Sequence, residues 1–120
     1  MGDIKKWSIL VMGLFGDLFF SSEAYKMAMD INEHLKQVYR IMAPSGNIIT
    51  PSNARIVKPE VTIVVEKLNE LEWKVNKCSP SRVRYIKVPT LDGYEIPIVV
   101  YVSQLRRGVE LMQSDLRECL

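Results

Sequence analysis

The chain is poor in the residues from which reactive sites are built. Its 120 residues include two cysteines, Cys78 and Cys119, and a single histidine, His34. The cysteines are far apart and belong to no CxxC or Cys/His cluster, which removes the usual zinc and dithiol motifs. They read as reduced structural thiols of a cytoplasmic protein. His34 borders an apolar stripe near Ile31 and Val38, and its spacing supplies no nucleophile or carboxylate partner for general-base work. The close glycine pair in MGLFGD is followed by Asp17, which would repel a phosphate. The motifs HExxH, GxSxG and DxDxDG do not occur. These absences lead to the expectation of a protein that is not an enzyme and uses no cofactor or metal.

Two further absences bear on partners. An excess of either charge is nearly missing: 16 lysines and arginines stand against 14 aspartates and glutamates, a formal net charge of +2. That balance permits nucleic-acid binding without demanding it. A long hydrophobic run is missing too. The stretch from Trp7 to Phe20 is too short to span a bilayer as a helix, and Asp17 interrupts it where a signal peptide would be apolar. Position 6 is Lys6, not the Ser or Thr of a myristoylation signal after Met1-Gly2. The expectation is therefore no membrane attachment and a cytoplasmic location, with Trp7–Phe20 as a core strand or a packed first helix. No internal repeat or low-complexity tract breaks the chain. Its length suits one domain, residues 1–120, with a core of its own.

What is present is clear periodicity at both ends. From Ser22 to Met42, Ala24, Ala28, Ile31, Leu35, Val38 and Met42 recur at helical spacing, with Glu23, Lys26, Asp30, Glu33, Lys36 and Arg40 off the stripe. Ser22 suits an N-cap, and Pro44 stops the helix, because the residue before a proline avoids the α region. From Ser103, Leu105, Val109, Met112, Leu116 and Leu120 form a second stripe, interrupted by Gly108. Between them, Arg82–Val88 and Tyr94–Val102 read as the two strands of a hairpin around Asp92-Gly93. Pro97 puts the return strand at an edge or a bulge. Residues 47–59 hold either a brief strand at Asn47–Thr50 or a helical turn around Ser52–Val57.

The stretch VTIVVEKLNELEWKVNK, Val61 to Lys77, reads two ways. As strands it opens with a β-branched run and places Leu71, Trp73 and Val75 on one face. As a helix it stacks Val64, Leu68, Leu71 and Val75, with Pro59 at the first helical position and Glu70 set to pair with Lys74. A helix over most of Val61–Glu72 is favoured.

With that helix, residues 49–96, ITPSNARIVKPEVTIVVEKLNELEWKVNKCSPSRVRYIKVPTLDGYEI, resemble the DNA-binding core of winged helix-turn-helix regulators of the MarR type. In that family a TPS-like cap opens a short helix, a VTxxVxxLexxG pattern marks the recognition helix, and a basic hairpin forms the wing. VTIVVEKLNE stands at the recognition helix and RVRYIKVPTLDG at the wing. The resemblance implies a small α+β domain with a long N-terminal helix, a winged-helix centre and a C-terminal helix. It implies double-stranded DNA as partner, a homodimer, and a role in transcription regulation. Lys58 and Lys67 would flank the recognition helix, Thr62 would touch phosphate or a base edge, and Arg82, Arg84 and Lys87 would lie along the wing. A second stretch, KKWSILVMGLFGDLFFSSEAYKMAMDINEHL, is similar to the opening strand and helix of clostripain-type cysteine peptidases. That activity needs a later His–Cys pair, and the one histidine lies inside the first helix.

The alternative to the winged helix is an α+β protein-interaction or assembly subunit with no nucleic-acid role, its first helix packed on a four-stranded antiparallel sheet spanning Val61–Val102. The conformation of residues 61–77 decides between the two.

Overall fold

A computed structural model describes the backbone of residues 2–120 and the side chains from Phe20 onward. Helix α1 runs Gly2–Met42, α2 Ala54–Lys77, a short α3 Pro80–Val83 and α4 Ile98–Cys119. A two-stranded antiparallel sheet, β1 Lys87–Pro89 with β2 Glu95–Pro97, lies between α3 and α4. The domain is thus a mostly helical α+β fold, and its one described sheet has two strands rather than four.

The α1 stripe buries as its spacing requires, with Ala24, Ala28, Ile31, Leu35, Val38 and Met42 all buried. Ser22, however, caps nothing: α1 passes through it without a break. The helix ends before Pro44, where one 3-10 turn, Ala43–Ser45, leads to Gly46 and Asn47. Both adopt positive φ, +73° and +62°. Their N–H groups return to the Ala43 and Met42 carbonyls, which occupies acceptors that a helix end leaves open. The backbone of Trp7–Phe20 is helical, which removes the core-strand option; what the side chains of residues 7–19 pack against lies outside the described residues.

Val61–Lys77 is helical throughout, inside a helix seven residues longer at its start than expected. Burial explains why the β-branched run yields. Val61 and Val64 are almost fully buried, and burying a valine contributes about 1.5–3 kcal/mol. Its helix-propensity deficit is at most ~0.7 kcal/mol. Pro59 is not at the start but inside α2. The start is made by Thr50–Asn53. The Thr50 N–H donates to Asn53 Oδ1 at 2.8 Å and the Asn53 N–H to Thr50 Oγ1 at 3.3 Å. This reciprocal pair is a capping box with Asn in the usual Glu place, and Pro51 follows the cap, where its missing N–H costs nothing. The brief strand at 47–50 is not formed.

The hairpin is shorter than its sequence suggests at both ends. Val83 and Ile86 are both buried, a three-residue step that a helical turn satisfies and an alternating strand does not. Arg82 therefore lies in α3 and Arg84 in the turn after it, not side by side on a wing strand. On the return side, Ile98, Tyr101, Val102 and Leu105 are buried while Val99 and Val100 are exposed. That pattern belongs to a helix, so α4 begins at Ile98 and not at Ser103. The strands pair Lys87 with Pro97, Val88 with Ile96 and Pro89 with Glu95. Gly93, at φ +88°, closes the turn by donating to the Thr90 carbonyl.

Polar pairs fix how the helices run. Lys74 pairs with Glu23, Lys67 with Asp30 and Glu60 with His34. Residue numbers fall along α2 as they rise along α1, so the two are antiparallel. Arg106 forks onto Glu72 and Asn69, while Val61 shares a buried cluster with Leu116. α4 is therefore antiparallel to α2 as well. The result is an up-down-up three-helix bundle with the hairpin packed at the start of α4.

Candidate nucleic-acid interface

The acid-free stretch with the most basic residues lies at one end of this bundle. Between Glu72 and Asp92 the chain carries Lys74, Lys77, Arg82, Arg84 and Lys87 and no carboxylate. The stretch covers the last turn of α2, α3 and β1. Lys74 is committed to Glu23. Lys77 and Trp73 lie one helical turn apart, and the Lys77 Nζ sits 3.8 Å over the Trp73 ring. The Arg84 guanidinium lies 5.0 Å from the Tyr85 ring centre and donates to the Tyr85 hydroxyl at 3.2 Å. Trp73 is 57% exposed and Tyr85 73%. Lys87 points outward from β1, opposite the fully buried Val88. Cation–aromatic contacts at exposed sites of this kind contribute about 0.5–1 kcal/mol each.

The six residues expected to touch DNA do not form one surface. Lys58 and Thr62 are exposed and border a groove between α2 and α4. The Thr62 hydroxyl is occupied, donating to the Lys58 carbonyl at 2.9 Å. Lys67 faces α1, where its ammonium meets Asp30 at 2.6 Å. That hydrogen bond, the largest influence, holds the Lys67 pKa above the usual lysine range. Arg82, Arg84 and Lys87 are together near the hairpin. Lys58 and the basic end are about 28 Å apart along α2, at 1.5 Å per residue. The two flanks of α2 are taken by α1 and α4, so it is not presented as a free recognition helix, and no separate first helix and turn stand between Ser52 and Val61. Trp73, Lys77 and Tyr85 were not singled out from the sequence as site residues. The signal was the missing acid between positions 72 and 92, together with an aromatic four residues before a lysine.

Other chemistry-bearing groups are tied into the scaffold. His34 Nδ1 lies 2.8 Å from Glu60 and its Nε2 3.7 Å from Asp30. Burial pushes the Cys78 thiol up, the opposite of what a nucleophilic cysteine needs. Cys119 Sγ lies 3.7 Å from the Ile49 carbonyl. Among the described residues no group of three or more His, Cys, Asp or Glu side chains is placed to hold a metal ion. Among them, too, no helix is long and apolar enough to cross a membrane.

Two cavities flank α4. One, of about 440 Å³, lies between α1, the hairpin and α4 and reaches Tyr39, Tyr94 and Gly108. Its inner wall carries a polar chain: the Tyr101 hydroxyl donates to Asn32 Oδ1 at 2.8 Å, and Asn32 Nδ2 donates to the Pro89 carbonyl at 2.8 Å. The other, of about 470 Å³, is the α2–α4 groove, lined by Val61, Val65, Leu116 and Leu120 with Lys58 and Arg117 at its rim. No protein-family model matches the chain, and no curated protein or solved structure shows significant similarity to it.

Proposed function

We propose that the chain is a non-enzymatic DNA-binding protein that grips the phosphate backbone with the end built from residues 73–91. The observation that carries this reading is the acid-free exposed stretch in which Lys77, Arg84 and Lys87 project beside Trp73 and Tyr85. Phosphate contacts supply most sequence-independent affinity, and they need clustered cations without competing carboxylates. The hairpin that follows α2 and α3 is the part of the winged-helix likeness that supports this reading, and a regulatory role in the cytoplasm belongs to the same proposal. The basic contribution moves from a recognition helix to the turn before the hairpin. The test is titration of a labelled duplex against the protein over a salt series. Affinity should fall steeply with salt. Arg84→Ala with Lys87→Ala should flatten that dependence by about 2 in log–log slope. Salt-independent binding, or none, with both the duplex and its separated strands ends the proposal.

A second reading, a dimer or assembly subunit, is favoured by the α2–α4 groove, where Leu120 is 58% exposed beside Leu116 and Val65. It is tested by sedimentation over a concentration series. A mass of one chain at all concentrations removes the homodimer, and a dimer that Leu120→Asp dissociates places its interface at the groove.

A further inference from the structure

We infer that the nucleic acid gripped at this end is single-stranded, its bases stacking on Trp73 and Tyr85; the inference rests on the DNA-binding reading above. Three observations lead to it. First, the described elements at the basic end are badly shaped for a duplex groove. α3 has four residues. Each hairpin strand has three, and the central residue of β1, Val88, is fully buried. α2 is flanked by α1 and α4. A major groove admits a free helix or a two-stranded ribbon long enough to project side chains onto base edges, and neither is offered.

Second, two large flat rings stand exposed in the same stretch, Trp73 and Tyr85. Exposed aromatic rings stack on bases, whatever the base, once the bases are not stacked on each other. In a duplex they are already stacked, so the rings would gain little. Third, each ring has a cation attached to it: Lys77 over Trp73, and Arg84 beside Tyr85. A ring for a base with a positive charge within one nucleotide's reach for its phosphate is the arrangement of single-strand-binding surfaces. A third cation, Lys87, follows two residues after Tyr85 and is exposed. The chemistry is that of unpaired nucleotides, and it is common to DNA and RNA strands.

The experiment is fluorescence anisotropy with the full chain and three probes of about 16 nucleotides, the upper site size of such surfaces: oligothymidylate, oligouridylate and a duplex of mixed sequence. Either single strand should bind at least roughly tenfold tighter than the duplex. Trp73→Ala and Tyr85→Ala should each weaken single-strand binding roughly tenfold, in line with the loss of one stacked base. Trp73→Phe and Tyr85→Phe, which keep a ring, should hold affinity within a few fold of wild type. Both rings are exposed, so circular dichroism of the four variants should match wild type. Duplex binding as tight as single-strand binding overturns the inference and leaves the DNA-binding reading standing. So does salt-sensitive binding that both alanine variants retain in full. Absence of salt-sensitive binding to every probe overturns both.

Discussion

Asn32 and Tyr101 show how single residues tie this small fold together. Tyr101 is buried with its hydroxyl donating to Asn32, whose amide in turn donates to the hairpin at Pro89. One residue from each of α1, α4 and β1 thus meets in a short polar chain. Burial pushes the Tyr101 pKa well above its usual value. A group whose folded pKa is raised contributes stability that is complete below the unfolded pKa and is lost as pH rises toward the folded one. The expected outcome is a fall in stability above about pH 10, the ordinary tyrosine value. Tyr101→Phe should remove that component of the alkaline fall while costing about 1 kcal/mol at neutral pH from the lost hydrogen bond. Denaturant melts at pH 8 and at about pH 11 measure both effects. An equally steep alkaline fall in the Phe variant would show that Tyr101 is not its source.

Among elements, α4 carries an avoidable weakness. Gly108 stands mid-helix, and a Cβ built there meets nothing within 4 Å. Replacing a helix-interior glycine by alanine stabilises by about 1 kcal/mol, so Gly108→Ala should raise the thermal midpoint. A lowered midpoint would mean that the cavity beside it closes in solution. The elements also differ in how plainly the sequence declares them. α1 was legible because its apolar stripe is unbroken from Ala24 to Met42 and Pro44 ends it. α2 was ambiguous because Val61–Val65 favours strand locally, while its helical conformation is bought by burial against two other helices. The hairpin was legible at Asp92-Gly93 but overextended, because Arg82–Ile86 and Ile98–Val102 contain the residue types of strands and the spacing of helices. At the site, Arg84 and Lys87 stood out by charge. Trp73 did not, because a strand would place it with Leu71 and Val75 in the core. Only the helix turns it outward, one turn from Lys77.

At the scale of the whole molecule, the α1–α2 seam is a ladder of polar pairs: Glu23 with Lys74 and Asp30 with Lys67 as ion pairs, and His34 hydrogen-bonded to Glu60. Such half-exposed pairs contribute little singly, about 0.2–1 kcal/mol each. Together they favour the antiparallel arrangement over its alternatives. Lys67→Glu with Lys74→Glu should destabilise the fold by about 1–2 kcal/mol at low salt, and adding Glu23→Lys and Asp30→Lys should restore most of it. A double-mutant cycle measured by denaturant melts checks the coupling. If the four-fold variant is no more stable than the double one, the pairs are not coupled in solution. The junction of β2 and α4 has a different consequence. β2 ends at Pro97 and α4 begins at the next residue, and the Ile98 N–H reaches back to the Ile86 carbonyl beside β1 at 2.9 Å. No linker stands between strand and helix to absorb rotation. The hairpin and the first turn of α4 are therefore one lever. A shift of the hairpin would be expected to carry with it the first turn of α4, and so Tyr101 on the cavity wall.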